Sequence, residues 1–230
     1  MRFPLDFPYQ TPRLRLAPVE EWHADLIWEW SRDPAFNKFV LWSQPKIPLQ
    51  AKRFIDKALD AWRTGQGFSY FGESLETGET LARVEARLSR RRSGVGEVGM
   101  LIAPKAQNRG YGTELTYFGL WFCFENLGLE AVAIDAGATN GASNHLLEGL
   151  GMHPLGAQDF PHPDGGAVRL NRYVMTRDEF QVRHLVHMER AGYVLPGDDL
   201  SQPFDKPAVV EPVGEVSVFE RTAAANAELL

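Results

Sequence analysis

The chain predicts an α+β fold, a mixed, mostly antiparallel central sheet with helices on both faces. Three observations lead there. After an opening strand and two helices, the strand-like runs between Phe68 and Ile102 are separated only by short polar turns, which makes neighbours antiparallel. The second half alternates strand-like and helical segments in βαβα order. The 230 residues are 44% hydrophobic, enough for one substantial core.

Taken in order, Arg13-Leu-Arg-Leu16 alternates charge and leucine, as a first strand does. Glu20 to Trp30 places Leu26, Ile27 and Trp30 at helical spacing, and Asp33-Pro34 breaks that helix. Leu49 to Trp62 is a second helix with Phe54, Ile55, Ala58, Leu59 and Trp62 on one stripe. Phe68 to Ser74 and Thr80 to Leu88 are strands joined at Glu76-Thr77-Gly78. After the polar loop 89–94, Glu97 to Ile102 is the next strand.

Thr113 to Leu127 is a helix with Leu115, Phe118 and Phe122 inward and Gly128 at its left-handed terminator. Ala131 to Ala136 is a strand. Ala142 to Leu150 is a short helix capped by Asn140 and closed by Gly151. Asp164-Gly-Gly166 turns into the strand Val168 to Met175. Thr176 and Glu179 form a capping box for a helix to about Arg190. From Gly192 the texture changes: Pro196, Pro203, Pro207 and Pro212 punctuate a segment ending in the alternating stretch Glu215 to Glu220. The chain therefore divides into a domain over 1–191 and an appendage or arm over 192–230.

Composition narrows the function. A net charge of -6 argues against a nucleic-acid partner and fits a cationic one. The single cysteine, Cys123, excludes an internal disulfide and a cysteine-built zinc site; within an apolar helix it reads as a buried small hydrophobe. The N-terminus lacks a secretory pattern, and the longest apolar stretch, Leu115 to Phe124, falls short of the roughly 20 residues that span a bilayer. The expected location is cytoplasmic, with no membrane partner.

The stretch PKAQNRGYGTEL, Pro104 to Leu115, enters an apolar helix through two glycines. A helix start has unpaired N–H groups and a partial positive charge, so it suits an anion such as phosphate. Glycines at 110 and 112 would let those groups approach a ligand. No Gly-Lys-Ser/Thr follows, as a Walker loop requires, and the third glycine of a dinucleotide fingerprint is replaced by Leu115. An empty strand-to-helix turn is the competing reading of these residues.

The run GEVGMLIAPKAQNRGYGTEL resembles the acetyl-CoA-binding core of the GNAT superfamily of N-acyltransferases, with Gln107, Arg109, Gly110 and Gly112 on its Gln/Arg-x-x-Gly-x-Gly/Ala positions. Downstream, Asn140, Ser143, Leu150 and Gly151 match the second half of that signature. TPRLRLAP, DPAF and RYVMTRDEF are similar to the ribosomal-protein N-terminal acetyltransferase (RimJ/RimL-like) branch. The pieces occur in the family's order over residues 11 to 180.

The resemblance implies a GNAT-like acyl-CoA N-acyltransferase fold and acetyl-CoA as co-substrate, with no metal. Its diphosphate would lie on the turn Gln107, Asn108, Arg109, Gly110, Tyr111, Gly112 and Thr113. Its pantetheine arm would lie along Met100, Leu101 and Ile102, with a bond to Asn140. The acceptor would be an amine, a protein N-terminus or a small molecule, attacking the thioester directly. The partner set also includes a second copy of the chain in a homodimer. Leu147 stands where many members carry a tyrosine for the departing thiolate, and Ser143 would take that role instead, unless it only bonds its own backbone. Asp135 and Asp159 match positions of a base, with Glu97 a third option; each carboxylate also reads as a solvated charge.

Other features carry less chemistry. Arg90-Arg91-Arg92 reads as a solvated loop or a contact for the 3′-phosphate of CoA. His184 and His187, with Glu189 nearby, lack a third ligand at convincing spacing and read as a surface helix. Trp28, Trp30, Phe36, Phe39 and Trp42 crowd the region that shapes the acceptor pocket in the family, and read chiefly as core.

Overall fold

The computed structural model describes residues 2–39, 43–89, 92–162 and 165–196. Seven strands form one sheet: β1 (Leu14–Pro18), β2 (Gly67–Ser74), β3 (Thr80–Leu88), β4 (Val95–Ile102), β5 (Ala131–Gly137), β6 (His153–Pro161) and β7 (Ala167–Thr176). Their order is β1-β2-β3-β4-β5-β7-β6. Neighbours are antiparallel except β4 and β5, which run parallel. The predicted mixed, mostly antiparallel sheet is therefore present.

Alternation along the strands divides the core in two. One face carries Leu14, Leu16, Phe68, Tyr70, Ala82, Val84, Ala86, Val98, Val132 and Ile134, covered by α4 (Tyr111–Trp121) and α5 (Gly141–Gly149). The other carries Phe71 and Leu81, covered by α1 (His23–Ser31), α2 (Pro34–Asn37) and α3 (Pro48–Arg63). The stripe expected on α3 is half right. Ile55 and Ala58 are buried, whereas Phe54, Leu59 and Trp62 pack at the margin. Trp30 and Phe36 are core, as expected, and Trp42 lies outside the described residues.

Four features depart from the expected elements. Asp33-Pro34 does break a helix, but Asp33 then accepts from the Ala35 N–H and starts the short α2. β6 was not expected at all. Its Pro154, Gly156 and Pro161 hide the strand signal, and they are tolerated because β6 is an edge strand paired only with β7. The predicted helix over 113–127 begins two residues earlier and ends as a π-helical turn, Phe122–Asn126. The C-terminal helix is likewise composite: α6 (Arg177–Phe180), a π-helical turn (Gln181–Leu185) and α7 (Val186–Ala191).

α4 explains much of the packing. From Glu114 to Leu127 every residue but Tyr117 is buried. The sheet covers its inner side. The N-terminal segment and residues 184–193 cover its outer side: Phe3 stacks on Trp121, and Tyr117 meets His184, His187 and Tyr193. His184 is engaged through Nε2 with the Leu150 carbonyl at 2.9 Å, so it packs between helices, where a surface position was expected. Residues of the expected arm reach back as well, since Val194 pairs with Gln10. Glu215 to Glu220 lie outside the described residues.

The helix comes this close to the sheet because position 119 has no side chain. A Cβ there would stand 2.6 Å from Val98 Cγ1. Gly119→Ala should therefore destabilise the fold by about 1–3 kcal/mol through overpacking, although alanine is the better helix former by about 1 kcal/mol. Urea unfolding measures this; a gain in stability would show that α4 can shift away from β4 at little cost.

The capping box is formed. The Thr176 N–H and hydroxyl both reach Glu179, which also meets His153. The Thr176 backbone and hydroxyl, with His153, hold the Glu179 carboxyl down at about 2. Its contribution is complete above the ordinary glutamate range and is lost as pH falls through 2. Glu179→Gln should cost about 1 kcal/mol at neutral pH, and the gap in melting temperature should close toward pH 2. A gap that stays constant with pH would contradict this.

Candidate active site

The sheet opens in its middle. β4 and β5 pair at Val95↔Ala131, Gly96↔Val132 and Glu97↔Ala133, and there the ladder stops. Both strands continue, β4 to Ile102 along β3 and β5 to Gly137 along β7. Ala103 donates to the Leu81 carbonyl at the end of the β3–β4 ladder, and Ser89 donates to the Val95 carbonyl at its start. Because bonded pairs alternate in an antiparallel ladder, Leu101 and Gly99 also direct their peptide groups to β3. Met100 and Ile102 direct theirs to the other side, into the notch. Of the three strand positions singled out in the sequence, Met100 and Ile102 thus offer peptide groups there, and Leu101 is engaged elsewhere. Gly99 is exposed in mid-sheet, as an opening at this point requires.

The turn 107–113 lies where β4 hands over to α4. Asn108 (φ 60) and Gly110 (φ 81) are left-handed, and Gly110 is followed directly by helical residues. That sequence of conformations turns successive N–H groups toward one point. Asn108, Arg109, Gly110 and Thr113 are exposed, and Tyr111 and Gly112 half-buried. No side chain caps the helix start. Among the described residues, no hydrogen bond uses the N–H groups of Asn108 to Thr113. Gln107 is different: its N–H goes to the Pro104 carbonyl and its side chain to the Ile102 carbonyl at 3.4 Å.

The two glycines have different roles. Gly110 meets a conformational demand. Gly112 is in ordinary helical conformation, and a Cβ there would stand 3.4 Å from Leu146 Cδ1 and 3.8 Å from Met100 Sδ. The second glycine therefore keeps space between α4 and α5 at the mouth of the notch.

A cluster not singled out in the sequence fixes the turn. Glu114, buried in the first turn of α4, accepts from the Thr11 hydroxyl and from the Arg13 N–H at 2.8 Å. The Arg13 guanidinium also donates to it through Nε at 2.8 Å and Nη2 at 2.7 Å. Arg13 Nη1 donates to the Arg109 carbonyl at 2.8 Å, and the guanidinium lies 4.2 Å from the centre of the Tyr111 ring. The sequence marked this stretch by the charge–leucine alternation of Arg13 to Leu16 and by the family resemblance of TPRLRLAP, and neither gave Thr11, Arg13 or Glu114 a role.

Across the notch, Asn140 Oδ1 accepts from the Ser143 N–H at 3.2 Å, so the expected cap is present. The Ser143 hydroxyl, half-buried, has no hydrogen bond among the described residues. Leu147, one turn on, is fully buried against the core and offers no polar atom.

The opposite face of the sheet carries a strip of charge. Arg83 reaches Ser69 and Glu85, Arg87 reaches Glu97, and Arg172 reaches Asp135. Both Asp135 oxygens are taken, at 2.7 and 2.6 Å, by Arg172. This hydrogen bond, against the cost of burial, raises the Arg172 pKa above the usual arginine value. Glu97 also accepts from the Ser89 hydroxyl. Beside the strip, His23 is pressed against Phe71 with ring centres 3.7 Å apart, and burial pushes its imidazole down to about 4, so it is neutral at pH 7.

The structure therefore brings Met100, Ile102, the turn, Asn140, Ser143, Glu97 and Asp135 to one opening. It does not bring Asp159, which is exposed on β6, paired with Arg169 and separated from β5 by β7, about 10 Å at ordinary strand spacing. Arg90 and Arg91 lie outside the described residues.

A family model described as an acetyltransferase (GNAT) domain matches residues 13–153, more than half of the chain. No curated protein matches the sequence. Among solved structures, a GNAT-family acetyltransferase of Bacillus anthracis is 17% identical with a TM-score of 0.62, covering 74% of this chain and 98% of that one. A Vibrio cholerae protein provisionally assigned as a ribosomal-protein-serine acetyltransferase is 20% identical with a TM-score of 0.63, over 76% and 99%. Spermidine N-acetyltransferase from Vibrio cholerae, in complex with CoA and spermine, is 16% identical with a TM-score of 0.63, over 73% and 98%. At these identities the likeness is one of fold.

The glycine assignment can be tested without a ligand. Gly110→Ala should cost about 1–2 kcal/mol from the left-handed backbone alone, and Gly112→Ala should be within about 0.5 kcal/mol of the native chain. Thermal unfolding of the two variants decides it, and equal losses would refute the division of roles.

Proposed function

The chain belongs to the GNAT acetyltransferase family, and on that premise we propose that it transfers the acetyl group of acetyl-CoA to a primary amine. The observation that carries this reading is the row of unused N–H groups from Asn108 to Thr113 beside a notch where β4 has no partner strand beyond Glu97. A diphosphate is the complement of the first, and an extended amide-bearing arm the complement of the second.

In this reading the turn holds the diphosphate, with Gln107 and Arg109 at its edge. Met100 and Ile102 bond the pantetheine amides, and Asn140 bonds the arm from the other side. A β4 N–H polarises the thioester oxygen. The amine nitrogen attacks the carbonyl carbon, the C–S bond breaks, and the thiolate leaves with a hydrogen bond from the Ser143 hydroxyl and takes up the proton that the acylated nitrogen sheds. The free state of that hydroxyl supports this role. The proton of the incoming ammonium passes to a carboxylate, directly or through water. Asp135 and Glu97 border the notch, which favours them over Asp159.

The acceptor is a protein N-terminus or a small amine. The acidic net charge suits both. The fold neighbours include proteins described for each kind, a ribosomal-protein-serine acetyltransferase and a spermidine acetyltransferase. A cytoplasmic location and a homodimer belong to the same proposal. No helix among the described residues is long and apolar enough to cross a membrane.

A second reading has its own support: the domain binds CoA and assembles without turnover. Leu147 removes the usual tyrosine, and Asp135 is closed off by Arg172. Thiol release from acetyl-CoA across a panel of polyamines, aminoglycosides and N-terminal peptides separates the two. Release with any acceptor establishes the transferase, and none, with CoA still bound, establishes the binding module.

Isothermal titration with acetyl-CoA should give micromolar binding or tighter. Gly112→Val, which crowds Leu146, should weaken it by about tenfold or more. Ser143→Ala should leave binding unchanged and lower kcat by about 10²-fold, within the span of a lost acid–base or charge-stabilising group. Absence of binding by the native chain removes the reading, and a Gly112→Val protein with native affinity removes the placement of the diphosphate.

A further inference from the structure

Arg13 stands just ahead of β1, far in sequence from the turn, yet its side chain has ties to three parts of it: the Arg109 carbonyl, the Tyr111 ring and the Glu114 carboxylate. We propose that Arg13 is the positioning residue of the anion seat, orienting the Arg109–Gly110 peptide so that its N–H faces the ligand. The proposal rests on the reading of the turn as a diphosphate site.

The argument starts from peptide geometry. In a planar trans peptide the carbonyl of one residue and the N–H of the next point in opposite directions. Holding the Arg109 carbonyl against Arg13 Nη1 at 2.8 Å therefore fixes the Gly110 N–H on the far side, away from the guanidinium. Gly110 is the left-handed residue at which the turn would otherwise rotate most freely. Tyr111, the next residue, is held under the guanidinium face, so both sides of the critical peptide are fixed by one side chain.

The second part is electrostatic. Glu114 lies in the first turn of α4, where its charge favours the helix start but repels an anion bound there. Arg13 contacts this carboxylate through Nε and Nη2, and so removes most of that repulsion. Glutamate in turn fixes the guanidinium plane, leaving Nη1 directed at the carbonyl. Thr11 and the Arg13 backbone N–H occupy the other carboxylate oxygen.

The test compares Arg13→Lys and Arg13→Gln with the native chain, using CoA and pantetheine, which lacks the diphosphate and nucleotide. Lysine keeps the charge and loses the planar fork; glutamine loses both. The native chain's binding of CoA decides the diphosphate reading by itself, and no binding overturns this proposal with it. Given that binding, both variants should raise the Kd for CoA, by about tenfold for lysine and more for glutamine. The Kd for pantetheine should stay within about twofold of native. Where there is turnover, the KM for acetyl-CoA should rise with kcat retained.

Unchanged CoA affinity in the lysine variant would overturn the orienting role. An equal fall for CoA and pantetheine would overturn it too, because it would mark a general structural role. If the glutamine variant fails to fold, the lysine variant decides alone.

Discussion

β4 is tied along its whole length to β3, and β5 along its whole length to β7, yet the two pair with each other only from Val95 to Glu97. The sheet is thus two antiparallel halves joined by a short parallel seam. Beyond the seam the peptide groups of Met100 and Ile102 face an opening. Buried peptide groups without partners cost about 1–3 kcal/mol each, so such a gap persists only where water or a ligand can enter. α4 packs on the β3–β4 half: the missing side chain at 119 lets it sit hard against Val98, immediately beyond the last β4–β5 pair. From that contact the helix runs back to a start that opens beside the notch.

The charge distribution shows how an acidic chain accommodates an anion. The net charge is -6, and the field that matters is local. At the turn, unpaired amides and a helix start supply positive potential, and the one buried acid nearby, Glu114, is matched by Arg13. On the opposite face the carboxylates are retained but paired: Glu85 with Arg83, Glu97 with Arg87, Asp135 with Arg172. The two faces thus differ, an anion seat on one side of the sheet and an alternating charged strip on the other. An amine reaching the notch from that strip meets carboxylates fixed in place by arginines, which restrains their geometry.

Much of this was legible in the residues because periodicity and turn chemistry report local structure. The strands over 67–74 and 80–88, the inward Leu115, Phe118 and Phe122, the Asn140 cap and the Thr176–Glu179 box all stand where their patterns say. What stayed hidden depends on distance in the chain or on broken local rules. β6 contains two prolines and a glycine, and only its edge position makes them harmless. The π-helical turns leave no mark, since an extra residue in a helix keeps the apolar character of the run. Arg13 was invisible because its partners lie about a hundred residues downstream. The glycine pair was legible as a turn, but only coordinates separate the strained residue from the spacer.

The π-helical turns make sense when α4 is followed to its end. The wider turn brings Glu125 and Asn126 inward at the same level. Glu125 takes Gln181, itself in the second π-helical turn, and pairs with Arg177. Asn126 takes the N–H groups of Arg2 and Phe3 and reaches the Tyr9 hydroxyl. Both ends of the domain are therefore fastened to the last turn of the helix whose first turn carries the bare amides. Regular α-helical geometry would rotate one of these polar side chains away from its partner. Fastening the far end immobilises the helix as a body, so the amides at its start are held in place without a capping side chain that would compete with the ligand. A helix start left uncapped is weak on its own, and here the missing cap is offset at the opposite end.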